Sequence, residues 1–173
     1  EEFLLIPGKE STLAHRGKQI ATGAGGAVSH VWDMSRNEIS VMKESIGAQA
    51  RDEIQGPPTD VEAANLRRVN PPQADGTHRT GVQEAPYLTF KIPNASQSDA
   101  GPSYVGYLIK RYDTSLESGL AKHQFSTDQI LDGTFQLFSG VQGINKEQAH
   151  HLDIKAGNVF IQQNRDKFLM HVS

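Results

Sequence analysis

The sequence predicts an α+β fold, on three observations. Five short strand-like runs and one helix-like run fall within residues 18–112. From Ser126 the spacing turns helical, with Ile130, Leu131, Thr134, Phe135, Leu137, Phe138 and Val141 suited to an amphipathic helix. Last, Val159-Phe160-Ile161 and Phe168 to Val172 flank the polar turn 162–167 as a hairpin.

The elements follow in order. Lys18 to Ala21 and Val28 to Trp32 flank the glycine cluster 22–26 and read as a hairpin, with Trp32 as a packing residue. After the polar turn 34–37, Ile39 to Lys43 forms a third strand. Thr59 or Asp60 caps a helix ending at Val69, with apolar residues at 61, 65/66 and 69. Pro71-Pro72 stops it, because proline supplies no amide hydrogen and clashes with the preceding turn. Residues 71–86 lack periodicity and read as a loop, either a solvated insertion or a docking loop. Tyr87 to Ile92 and Tyr104 to Tyr112 are strand-like around the polar turn 93–103. In the later helix, capped by Ser126 or Thr127, Gly133 and Gly140 each cost about 1 kcal/mol of propensity.

Length and composition bound the function. A chain of 173 residues is one domain or two small lobes. A net charge of −3 argues against a general nucleic-acid binder, which carries a basic face. No apolar run approaches the roughly 18–20 residues of a membrane span. Two glutamates, not basic residues, precede Phe3 to Ile6, so no signal peptide is expected. The absence of cysteine excludes a disulfide framework and a thiolate zinc site, and allows a reducing compartment. With 36% hydrophobic residues, Gly 16 and Pro 8, the chain should hold much loop and a modest core.

One motif carries chemistry. Residues 151–158 read H-x-D-I-K-x-x-N and run directly into an apolar strand. The phosphoryl-transfer loop H-R-D-L-x-x-x-N has the same polar spacing. Four specified residues match by chance on the order of one time in a thousand over such a chain. Upstream, Ile20 to Val28 is a glycine cluster between strands, with Gly23 and Gly26 spaced as two glycines of a phosphate-covering loop. Lys43 ends Val41-Met42-Lys43 on the third strand, and Glu62 lies in the next helix.

This order of parts, over residues 18–161, resembles the eukaryotic-like protein kinase family of Ser/Thr type. The resemblance implies a protein-kinase-like two-lobe fold. A five-stranded antiparallel small lobe with one helix would span 1–112. A reduced, mainly helical large lobe would span 113–173, with ATP in the cleft between the two. It implies an ATP- and Mg²⁺-dependent enzyme that moves the γ-phosphoryl to a Ser or Thr hydroxyl of a protein. Gly23, Gly26, Val28, Lys43 and Glu62 would bind ATP, with Glu62 orienting Lys43 toward the α/β-phosphates. Asp153 would take or orient the hydroxyl proton, Lys155 would offset charge on the γ-phosphate, and Asn158 would hold Mg²⁺. His151 would support the loop. The small size is similar to the minimal type III effector kinases of the HopBF type, which bacteria inject into host cells and which act on a host heat-shock chaperone. The implied setting is cytoplasmic or the host cytosol, as a monomer with no nucleic-acid or membrane partner.

Other readings stand beside these. Glu44 and Glu53 compete with Glu62 for Lys43, and Asp153 could simply cap a turn. His150-His151 beside Asp153 could hold a metal but lacks a third ligand at helical spacing. Lys110 and Arg111 fall where the family's hinge meets adenine, an unusual place for charge. Phe168 to Ser173 resembles the strand leading into the family's Asp-Phe-Gly, so the polypeptide is expected to continue into that segment. The alternatives are a nucleotide-binding pseudokinase and a small-molecule kinase of the aminoglycoside-phosphotransferase type, against which Lys155 speaks.

Overall fold

The structure, a computed structural model, describes residues 2–7, 11–23, 26–45, 59–92, 104–151, 153–164 and 167–173. In chain order these form β1 (Glu2–Ile6), β2 (Thr12–Gly23), β3 (Gly26–Asp33), β4 (Glu38–Ser45), α1 (Thr59–Val69), β5 (Gly81–Val82), β6 (Leu88–Ile92) and β7 (Tyr104–Lys110). Then come β8 (Thr114–Ser115), α2 (Leu116–Ala121), α3 (Thr127–Lys146), β9 (Val159–Asn164) and β10 (Lys167–Val172). The chain divides into two compact units, Glu1–Asn65 with Pro86–Arg111, and Leu66–Ala85 with Tyr112–Ser173.

The first unit is one antiparallel sheet in the order β1-β2-β3-β4-β7-β6. Side chains alternate across a strand, so one face collects Ile6, Ala14, Val31, Met42, Phe90 and Leu108 as a core. Register puts Met42 opposite Leu108, and Leu108 opposite Leu88. The turn after β3 is held by Asp33, whose Oδ1 accepts from the Ser35 and Arg36 amides at 3.0 and 3.1 Å. The Tyr87 hydroxyl lies 3.0 Å from the other oxygen of Asp33, which is fully buried. On the opposite face, register aligns Phe3, His15, Trp32 and Ile39 in one row across four strands. Trp32 is 47% exposed there, so it is a surface residue and not the packing residue expected.

The second unit is a four-stranded sheet in the order β5-β10-β9-β8. The expected late hairpin is β9 and β10, paired from Lys167–Asn164 to Val172–Val159. Helix α3 begins in a reciprocal cap, where Ser126 Oγ accepts from the Gln129 amide and the Gln129 side chain accepts from the Ser126 amide. Two of its glycines, Gly133 and Gly140, face the sheet. A Cβ on Gly133 would stand 2.5 Å from Met170 Cε, and one on Gly140 would stand 2.3 Å from the Gly81 carbonyl oxygen. Helix propensity is given up at these positions so that the strands can approach.

The expected α+β, protein-kinase-like two-lobe fold is corrected on two points. Among the described residues, 113–173 are not a mainly helical lobe, because β8, β9 and β10 join β5 in a sheet beside the helices α2 and α3. The first sheet has six strands and not five, because Glu2–Ile6 pairs with Thr12–Arg16 along an edge. Among the described residues the chain is mainly β, with ten strands against three α-helices. The residues 71–86 read as loop contain β5, which pairs parallel to β10. No helix among the described residues is long and apolar enough to cross a membrane.

Candidate functional site

The sequence-predicted site residues fall into two clusters, one in each unit. In the first, sheet register lines up Ala21, Val28, Lys43 and Tyr107 on consecutive strands β2, β3, β4 and β7. Directly opposed residues share a face, so all four project on the same side of the sheet. Lys43 Nζ donates to Glu62 Oε1 at 2.8 Å and to Oε2 at 2.6 Å. The two side chains are 22% and 24% exposed, which leaves the ammonium within reach of solvent while screening it less than a surface pair. The Tyr107 hydroxyl donates to Glu62 Oε1 at 3.0 Å. Burial, and then the Glu62 charge, push the Tyr107 phenol well above its ordinary range, so it remains a donor.

The competitors for Lys43 separate from it. Glu44, one residue on, takes the opposite face, is buried, and accepts from Arg16 at 2.7 Å. Burial raises its carboxyl above the ordinary value, and the nearby guanidinium pulls the other way without overcoming that. Glu53 lies outside the described residues, as do Ala24 and Gly25 of the glycine cluster. Gly23 and Gly26 pair across the end of β2 and β3. Gly26 has φ 115°, and a Cβ on it would stand 2.1 Å from the Glu44 carbonyl oxygen. Its lack of a side chain is therefore required by the β3–β4 crossing itself.

The second cluster is the loop before β9. His151 Nδ1 accepts from the Asp153 amide at 3.2 Å, which puts the ring proton on Nε2, where it donates to the Ser173 carbonyl. Both ring nitrogens are thus engaged in holding the loop. Lys155 Nζ donates to Asp153 Oδ2 at 2.7 Å. Asn158 Nδ2 donates to the same oxygen and to the Asp153 carbonyl, both at 2.9 Å. Asp153 is 65% exposed, and its carboxyl is held below the ordinary value, chiefly by the Lys155 hydrogen bond. A short 3₁₀ turn, Ala156–Asn158, delivers Asn158 to this position, and the Ser173 amide donates to the Asn158 carbonyl at 2.9 Å.

The Asn158 amide spends its N–H₂ on Asp153, so its carbonyl oxygen is the atom left for a cation. One neutral oxygen beside an exposed carboxylate fits Mg²⁺, which takes few protein ligands and completes its shell with water and phosphate oxygens. Among the described residues no group of three or more His, Cys, Asp or Glu side chains is placed to hold a metal.

Two functional-looking contacts escaped the sequence reading. Tyr107 sits in an apolar run, Tyr104 to Ile109, and only strand register brings it opposite Lys43. Arg16 meets Glu44 across 28 residues, a pairing no local pattern announces. No family model matches the chain, and no curated protein matches it.

Proposed function

We propose that the chain is an ATP- and Mg²⁺-dependent phosphotransferase acting on a Ser or Thr hydroxyl of a protein. The observation that carries this reading is the Asp153 carboxylate, exposed, ionised and aimed by Lys155 at 2.7 Å and Asn158 at 2.9 Å. A carboxylate whose proton affinity is lowered cannot be a strong base, and phosphoryl transfer asks only that it orient the hydroxyl and collect its proton late. Lys155, already beside Asp153, offsets charge on the transferred phosphoryl. Asn158 offers one oxygen to Mg²⁺, which when bound neutralises phosphate charge. Lys43, fixed by two bonds to Glu62, is a point charge suited to the α/β-phosphates. Lys155 favours a protein acceptor over an aminoglycoside, from the resemblance of the motif.

The test is transfer from γ-labelled ATP, with Mg²⁺, to peptide, protein and aminoglycoside acceptors. Wild-type chain should label a Ser/Thr acceptor, Asp153→Ala should abolish labelling, and Lys43→Ala should reduce it strongly. Full activity of Asp153→Ala overturns the reading. A rise in melting temperature with Mg–ATP and no turnover would favour a nucleotide-binding module instead.

A further inference from the structure

We propose that Tyr107 is a positioning residue that holds Glu62 against Lys43 and so keeps the Lys43 ammonium in place. What Lys43 is held for rests on the phosphotransferase reading, whereas the hold itself does not.

Glu62 comes from a helix and Lys43 from a strand, and both side chains are long and part-exposed. Such a pair has many rotamers in which it is broken, and ordering it costs side-chain entropy. Tyr107 is unlike its two partners. It is 2% exposed, and it stands directly opposite Lys43 in the β4–β7 register. Its ring has only two rotatable bonds and is fixed by packing. Its hydroxyl donates to Glu62 Oε1, the same oxygen that Lys43 reaches at 2.8 Å. If Glu62 swings away, a buried phenol loses its acceptor, and an unpaired buried donor is costly. The engaged rotamer of Glu62 is therefore the one in which Tyr107 is satisfied. Two groups, Lys43 from β4 and Tyr107 from β7, converge on the Glu62 carboxylate from α1, and the neutral, buried one sets where it lies.

Tyr107→Phe keeps the ring volume and removes the single proton, so the packing stays. Acetylation of Lys43 by acetic anhydride, read by mass spectrometry on the nucleotide-free chain, reports how well the amine is held. Labelling should rise about fivefold in Tyr107→Phe, the size of one net hydrogen bond. In a Glu62→Gln background the same change should add nothing, because Tyr107 acts through the carboxylate. Unchanged labelling in Tyr107→Phe, or an equal increment in both backgrounds, overturns the proposal. In phosphoryl transfer, kcat should fall about fivefold while the KM for ATP moves less than about twofold. A merely structural role would move both or neither. Coupled labelling with no transfer by the wild-type chain overturns the phosphotransferase reading and leaves the hold on Lys43 standing.

Discussion

Gly81 and Gly140 cross backbone to backbone, so closely that a Cβ on Gly140 would stand 2.3 Å from the Gly81 carbonyl oxygen. Gly81 adopts φ +81°, a region that side chains disfavour, and a Cβ there would meet the Gln136 carbonyl oxygen at 2.0 Å. Gly140→Ala gains about 1 kcal/mol of helix propensity and still destabilises, because the obstacle is main chain and cannot rotate away. We expect a net loss of about 2 kcal/mol, seen as a lower urea midpoint. Gly133→Ala should cost less, since its obstacle is the flexible end of Met170. A Gly140→Ala chain as stable as wild type would refute the crossing.

Asn70 organises the turn between α1 and β5. It is fully buried; its Nδ2 faces the carbonyls of Arg79, Val82 and Gln83 at 3.0–3.2 Å, and its Oδ1 accepts from the Arg79 amide at 2.7 Å. Asn70→Ala removes at once the side-chain partner of the Arg79 amide and of three carbonyls and should cost about 3 kcal/mol. Asn70→Asp should be worse at neutral pH, because a carboxylate would face carbonyl oxygens. Chemical denaturation of the two variants checks the order.

Glu44 gives stability a pH dependence. Burial raises its carboxyl in the folded chain above the ordinary 4.5. The folded state therefore binds the proton more tightly than the unfolded state. The stabilising contribution is complete below pH 4.5 and is lost as pH rises through the raised folded value. Unfolding free energy, measured from pH 4 upward, should show this decline in wild type and lose it in Glu44→Gln. The decline persisting in Glu44→Gln would assign it to another group.

Asp153 should behave in the opposite sense. Its carboxyl is lowered, first by the Lys155 hydrogen bond and then by that of Asn158. It stays ionised below the ordinary 3.8, and its contribution is lost only as pH falls through the lowered folded value. In Lys155→Met the carbon-13 titration of the Asp153 carboxyl should move up toward the ordinary value. An unmoved titration would mean that Lys155 does not hold Asp153.

Local chemistry made part of this legible. The Ser126 cap, the turn after Asp33 and the β9–β10 hairpin depend on neighbours in sequence, and each is where the pattern puts it. The Lys43–Glu62 pair was also readable, because a lysine on a strand and a glutamate on the next helix stand in a spacing that resembles a known layout. Trp32 was misread because alternation tells which residues share a face, not which face is covered. The second lobe differs from the helical one expected because a dipeptide strand such as Thr114–Ser115 has no periodicity to detect, and only its pairing with β9 reveals the sheet.

By itself the sequence determined the strands from β2 to β4, the two longer helices α1 and α3, and the loop that carries Asp153, Lys155 and Asn158. These rest on contacts within a few residues, where backbone sterics and hydrogen bonding act directly. Only the tertiary structure decided that β1 extends the first sheet, that β5 joins β10 with His171 opposite Gly81 and Val172 opposite Val82, and that Tyr107 meets Glu62. Those depend on register and on close approach at glycine, and neither leaves a local trace. A residue's partner across a sheet is set by every pairing between them, so it emerges only once the whole sheet has formed.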